Sequence, residues 1–363
     1  AVISKISGEI YDSTSLKSKA TTDDPYAVDW SNTNTDGSFG FGPYVLDTYE
    51  DGVQITYTAN PGYALGEPAI KTITQKVVAD AGNRASLLEN GDVDVAVQLL
   101  PADVADMADN ADLTTYSVAT NNFTWIFMQT QTPPFDDQLV RQAIFKAVPF
   151  QQIIDTVYHG KAKSVVGLLD PNAPEYIADG LMSQDYDPEG AKALLAQAGV
   201  TSPVAYTISC SSAVPDMQEV AVQMQQYAED AGFSVEIEVL PPATLSERQT
   251  AQNFQLLLMR DMAVSYESPP YVLNLAYPRD VSQGVTGWGP QDYFDAVDAG
   301  SDAGDALGSE AAKLWNKAEL IWQDGRPQIQ VCNVTPLMVM NAKLTGFAHR
   351  TDNVIDFSVV TSA

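Results

Sequence analysis

The rhythm of apolar and polar positions changes near residue 120. Before it, short apolar runs alternate with polar residues and are cut by Gly, Asn and Pro. Tyr44-Val45-Leu46 follows Gly40-Phe41-Gly42-Pro43 and reads as a strand fed by a tight turn. Residues 53–57 alternate and make a hairpin partner across Asp51-Gly52. The pattern then predicts a strand over 70–78, a short helix over 83–89 ended by Asn90-Gly91, a strand over 93–97 and a helix over 102–108. Residues 1–38 are polar, with apolar anchors only at 1–3 and 26–30. Strand, helix, strand, helix describes an α/β lobe.

After residue 120 the helical period dominates. Phe123-Thr124-Trp125-Ile126-Phe127-Met128 reads as a buried strand, and Pro133-Pro134 fixes an extended turn behind it. Asp136 or Asp137 can cap a helix in which Leu139, Val140, Ala143, Ile144 and Ala147 recur at helical spacing. Asp187-Pro188-Glu189 opens a second helix that Gly199 closes. A strand over 204–210, an amphipathic helix over 216–231 and strands over 235–240 and 254–259 follow. A helix over 309–323 places Leu314, Ala318 and Ile321 on one face, and 329–340 is one long strand-like stretch. The expected organisation is lobe I over 1–130, lobe II over 131–328 and a return to lobe I over 329–363. Two crossings between two α/β lobes describe a hinged, clam-like protein with a cleft for a small ligand.

Composition narrows the partners. Lys and Arg number 19 against 47 Asp and Glu, a net charge of −28 over 363 residues. Such a chain is repelled by nucleic-acid phosphates and by anionic membranes, so neither is a partner. The charge fits plain solubility, or more sharply a saline setting in which screening removes self-repulsion. Cys210 and Cys332 sit in apolar runs and read as buried free thiols.

No catalytic constellation stands out. Two histidines, His159 and His349, supply neither a His-rich metal site nor most Ser-His-Asp triads, and no metal or cofactor is expected. His159 reads as a helix C-terminal residue. The best candidate segment runs from Met259 to Pro269, past the end of an apolar strand, where α/β sheets hold ligands. Arg260 beside Asp261 is either a surface pair or a pocket pair. Trp125 on the first crossing, Trp288 between Gly287 and Gly289, and Asn333 on the return crossing are further ligand candidates, with core packing the alternative for each.

Several segments, in order, resemble one family. The block from Asn121 through Pro133-Pro134-Phe135-Asp136-Asp137 to Val140-Arg141-Gln142-Ala143 is similar to its strand, "PPFDD" and "VRQA" signature. Gly40-Phe41-Gly42-Pro43-Tyr44 resembles "GTGPY", Asn60-Pro61-Gly62-Tyr63 to Gly66-Glu67-Pro68 resembles "NPDYW.GKP", and Asn83-Arg84 to Gly91-Asp92-Val93-Asp94 resembles "TRLAALQSGEVD". Tyr186-Asp187-Pro188-Glu189 to Ala198-Gly199 resembles "YDPEKAKALLAEAG". The family is the family 5 extracellular solute-binding proteins of ABC transporters. After "VRQA" the family's "AIDR" is replaced by Ala147-Val148-Pro149-Phe150.

The resemblance implies a periplasmic-binding-protein-like α/β fold. It implies a non-enzymatic, periplasmic or extracytoplasmic protein that captures a small polar solute or short peptide and delivers it to a membrane permease. In the family an "R-A-G-W-x-A-D-Y" segment lines the pocket, its Asp holding a peptide's free amine. Here Met262 takes the Trp position, Ser265 the Asp position, and Tyr266 is retained. A hydroxyl does not neutralise a buried ammonium, so peptides are expected not to bind through their free amine in the usual way. The alternative from another class is a hydrolase of a small amide or sugar acting through cleft carboxylates. Only 39 residues precede Gly40, fewer than in the family, so a companion N-terminal polypeptide is a further expected partner.

Overall fold

The structure, a computed structural model, describes residues 11–34, 39–117, 121–169, 171, 173, 175–263, 269, 272–273, 284–305, 308–335, 337–350 and 355–363. The chain divides into two compact units. One is Ala1–Leu99, Asp103–Val118 and Leu337–Ala363; the other is Leu100–Ala102 and Ala119–Pro336.

The first unit begins with two short helices in the stretch the sequence pattern left without elements, α1 (Ser13–Lys19) and α2 (Val28–Thr33). Asp12 caps α1, accepting from Thr14 N at 2.9 Å. Then β1 (Tyr44–Glu50), β2 (Gln54–Ala59) and β3 (Thr72–Lys76) form an antiparallel meander. Gly52, at φ +68°, makes the β1–β2 turn that a side chain would strain. Next come α3 (Ala81–Glu89), β4 (Val95–Ala96), α4 (Pro101–Asp106) and β5 (Leu113–Ser117). Arg84 on α3 donates to the carbonyls of Val78, Ala79, Val97 and Gln98 and so ties the helix to the chain on both sides.

The second unit is built on one mixed sheet. Its elements are β6 (Asn121–Met128), α5 (Gln138–Ala147), α6 (Phe150–Thr156), β7 (Ala162–Lys163), α7 (Pro188–Gln197), β8 (Val204–Ser211) and α8 (Pro215–Ala228). They continue with β9 (Phe233–Leu240), α9 (Pro242–Thr250), β10 (Leu256–Ala263), α10 (Gln291–Asp302), α11 (Ser309–Gly325) and β11 (Gln328–Val334). The strand order is β7-β11-β6-β10-β8-β9. β6 runs antiparallel to both neighbours, whereas β10, β8 and β9 are mutually parallel. Both faces of the sheet are covered, which is why β6 reads as nearly continuous apolar sequence. Ile126 and Met128 pack with α5, α6, α7 and α8; Phe123 and Trp125 pack with α10 and α11 on the other face.

The chain returns to the first unit as β12 (Leu337–Asn341), which inserts between β4 and β5, and ends with the pair β13 (Leu344–Thr345) and β14 (Thr361–Ser362).

Three expectations differ from this picture. The stretch 329–340 is two strands in two sheets, β11 and β12. The units divide near 118 and 336 rather than at 130 and 328, because β6 and β11 pair with each other inside the second unit's sheet. On α11 the fully buried side is Ala311, Trp315, Ala318, Glu319 and Trp322, with Leu314 and Ile321 half-buried at its margins. Two tryptophans seven positions apart present more apolar surface than Leu314 and Ile321, and they set the helix's rotation.

Candidate functional site

The sheet brings some of the sequence-predicted residues onto one line. Asp261 on β10 pairs in register with Phe123 on β6; Phe123 pairs with Asn333 on β11, and Asn333 with Lys163 on β7. Asp261, Phe123, Asn333 and Lys163 thus form a single row across four strands, near the beginning of β6. Met262 is one step nearer the strand end, opposite Asn122. Ser265 and Tyr266 lie outside the described residues.

Trp125, two residues along β6, is 6% exposed. Its ring meets Phe123 edge-on at 5.6 Å and Phe127 at 6.3 Å, in the core that faces α10 and α11. Its indole Nε1 is buried and makes no hydrogen bond among the described residues. Trp125 pairs with Gln330 on β11, whose amide nitrogen and oxygen are also buried and unbonded.

Arg260 turns into the core rather than lying in a surface pair. Its guanidinium forms an ion pair with Asp216, in the first turn of α8, and donates to the Tyr158 hydroxyl at 3.1 Å. Tyr158 and Thr124 share a hydrogen bond of 3.1 Å. Thr124 pairs across the sheet with both Arg260 and Cys332. The result is a buried polar cluster of Arg260, Asp216, Tyr158, Thr124 and Cys332 set into an apolar core. Burial alone would lower the Arg260 pKa, but the Asp216 carboxylate reverses this and holds it above its ordinary value. Burial, then Asp216, pushes the Tyr158 phenol well up. Burial pushes the Cys332 thiol up to about 12. At neutral pH the cluster therefore holds a charged arginine, a neutral phenol and a neutral thiol. Such a cluster fixes the end of β10 to α8 and offers no activated nucleophile. Cys210 and Cys332 are both free and buried.

Trp288 lies at the other end of β6. The Thr130 N–H and hydroxyl donate to Thr286 O at 3.0 and 2.8 Å, and Gln131 Nε2 donates to Gly287 O at 2.7 Å. These bonds place residues 286–288 beside the exit of β6, and the structure does not bring Trp288 together with Asp261 and Asn333.

Sequence reasoning missed Asp216, Tyr158 and Lys163. Asp216 follows Pro215 and reads only as a helix-start residue, and Tyr158 reads only as the neighbour of His159. No local signal links either to Arg260, which is 44 residues from Asp216. His159 ends the α6 turn in the left-handed region, at φ +48°. Among the described residues no three His, Cys, Asp or Glu side chains are grouped to hold a metal ion.

The second unit is thus a mixed sheet entered by β6 and left by β11, and the first unit carries antiparallel sheets. Residues 10–283 match "Bacterial extracellular solute-binding proteins, family 5 Middle", and the chain belongs to this family. It is 25% identical over 326 residues to Di/tripeptide-binding protein 2 of Pseudomonas aeruginosa (strain UCBPP-PA14), covering 88% of this chain and 61% of that protein. It is 28% identical over 221 residues to Probable di/tripeptide-binding protein 5 of the same strain, covering 61% of this chain and 42% of that one. The crystal structure of a dipeptide binding protein from Pseudoalteromonas sp. SM9913 in complex with Met-Leu superposes with a TM-score of 0.83 at 18% identity, over 95% of this chain and 69% of that one. The fold is that of the two-lobed periplasmic binding proteins. The chain spans 42% and 61% of the length of those two relatives. None of these comparisons supports the companion polypeptide.

Proposed function

We propose that this protein is a substrate-binding component of an ABC uptake transporter, working outside the cytoplasm, that captures a small polar solute or short peptide and hands it to a membrane permease. The match of residues 10–283 to the family carries this reading. The relatives named as di/tripeptide-binding proteins support a peptide or a solute of similar polarity. No observation favours the hydrolase alternative.

Asp261, Met262 and Asn333 are proposed ligand residues because they sit at one end of the two strands that flank β6, the position at which such sheets hold ligands. Ser265 and Tyr266 continue that segment and are proposed with them. Trp125 and Arg260 support the site from inside the core, Arg260 through its ion pair with Asp216. Because residue 265 is a serine, the ligand's free amine is not its principal anchor.

The test is calorimetry with a dipeptide library and its N-acetylated counterpart, followed by mass analysis of the recovered ligand. A binder should raise the melting temperature by mass action and be recovered unchanged. Acetylation should cost less than about tenfold in affinity, roughly the scale of one charge-assisted hydrogen bond. Recovery of a cleaved product would overturn the binding reading. A loss far beyond tenfold on acetylation would overturn the argument from Ser265.

A further inference from the structure

A cavity of about 320 Å³ opens beside the exit of β6, lined among others by Gln131, Asp136, Arg141, Trp288 and Pro290. Thr130, on its wall, lies seven residues past Phe123, roughly 20 Å along an extended chain. The cavity is therefore separate from the row of Asp261 and Asn333, and its reading does not rest on the proposed function.

Arg141 is 5% exposed. An arginine has five N–H donors. Three are used here: Nε donates to Gly325 O at 2.7 Å, and Nη1 donates to Phe135 O at 2.7 Å and Asp136 O at 3.2 Å. The two N–H groups of Nη2 have no partner among the described residues. None of the ion pairs among the described residues involves Arg141. Nη2 is not among the fully buried unpaired atoms, so water in the cavity reaches it, and a ligand acceptor that replaces that water gains a charge-assisted hydrogen bond. Asp136 lines the same cavity, is exposed, and makes no ion pair with Arg141.

The third wall is flat. The Trp288 ring is held edge-to-face on Tyr293 at 5.1 Å. It also lies against Gly325, where an added Cβ would come within 2.6 Å of the indole Nε1. Gly325 thus positions both groups, its carbonyl holding Arg141 and its bare Cα admitting Trp288.

Donors on Nη2, an acceptor on Asp136 and a planar apolar wall form a specific set. A simple anion would satisfy Arg141 but meet Asp136 and a chain of net charge −28. A simple cation would meet the guanidinium. A neutral group with a carbonyl and an N–H in one plane satisfies both. We propose that this cavity binds an amide group, its oxygen on Arg141 Nη2, its N–H on the Asp136 carboxylate and its plane against Trp288. The amide comes from a small solute or from the main chain of a peptide.

The test is a titration of the 15N-labelled full chain, read at the Trp288 indole N–H and assigned with Trp288→Phe. N-methylacetamide should shift that resonance saturably, while acetate and methylammonium at equal concentration should not. Asp136→Ala, at an exposed position, should weaken the effect about tenfold, the scale of a hydrogen bond to a charged group. Arg141→Lys should abolish it where that variant folds. A capped triglycine binding more tightly than N-methylacetamide assigns a peptide as the source; equal affinity assigns a small amide. An absent or unsaturable shift, an equal response to acetate, or unchanged affinity in Asp136→Ala would each overturn the proposal.

Discussion

Glu319 is a carboxyl with no exposed surface, in the middle of α11. Its Oε1 accepts from Leu168 N at 2.6 Å and Leu169 N at 3.0 Å, and its Oε2 is buried without a partner among the described residues. Gly167, at φ +91°, lets the chain pass so close that a Cβ there would sit 2.5 Å from Oε1. Burial raises the Glu319 pKa to about 7, against the two backbone hydrogen bonds that lower it. The ionisable neighbours it influences are Tyr176 and Tyr293, both raised by burial first and by Glu319 second, and both neutral in this range. Because the folded pKa exceeds the unfolded value of about 4.5, the folded state binds the proton more tightly. The stabilisation is full below about pH 4.5 and is lost as pH rises through about 7. The shift corresponds to about 3 kcal/mol. Glu319→Gln keeps the acceptor for residues 168 and 169 and removes the titration. Its melting temperature relative to wild type should therefore climb between about pH 4.5 and 7 and then level off. A difference that does not vary with pH would show that Glu319 keeps its charge when folded. Nothing in the sequence pointed to this residue: a glutamate among apolar helix positions reads as a solvated one, and only the fold places α11 over the 167–169 backbone.

Elements were legible where a local rule was sufficient. The α5 start is one case: Asp137 accepts from Leu139 N at 2.7 Å, and of the apolar period read over Leu139, Val140, Ala143, Ile144 and Ala147 all are buried except Leu139, which is half-buried. The α7 start is another, with Asp187 capping Gly190 N at 2.8 Å behind Pro188. Asp187 also takes Lys146 Nζ at 2.6 Å, a bond no local rule reveals, and that hydrogen bond is the main cause of its lowered pKa. Legibility failed where partners are remote. The break at Thr335 between β11 and β12 has no turn signature before Pro336, and the row of Asp261, Phe123 and Asn333 exists only because β6 is shared by two distant strands. The close approach of α10 and α11 is equally hidden. Gly300 reads as a helix-weakening glycine, yet a Cβ there would overlap the Trp315 indole. Two substitutions test these elements by denaturant unfolding. Asp137→Ala should cost about 1 kcal/mol, the usual value of an N-cap. Gly300→Ala should destabilise by about 1–3 kcal/mol through overpacking, despite alanine's better helix propensity. A stabilised Gly300→Ala would mean that Trp315 has room to turn aside.

At the scale of the whole molecule the excess of 28 negative charges is the dominant electrostatic fact. Even if all 19 basic residues were paired, that excess would persist. Most ion pairs among the described residues are partly exposed, such as Lys71 with Glu67 and Lys192 with Glu189. Such pairs contribute little and lose little on screening. The pair Arg260–Asp216 is largely buried and is screened least. Repulsion among the unpaired carboxylates is long-ranged at low salt. It shortens from about 30 Å at 0.01 M to about 10 Å at 0.1 M and about 3 Å at 1 M. Screening therefore removes more repulsion than attraction, and stability should rise with salt. The melting temperature should increase steeply from 0.01 to about 0.3 M NaCl and flatten beyond. KCl should follow the same curve, because screening depends on ionic strength and not on which monovalent cation is present. The two compact units need not melt together, so each transition is followed separately. A curve that is flat or falls over the low-salt range would show that the carboxylates are spaced widely enough not to oppose folding. The saline setting inferred from composition would then lose its physical basis.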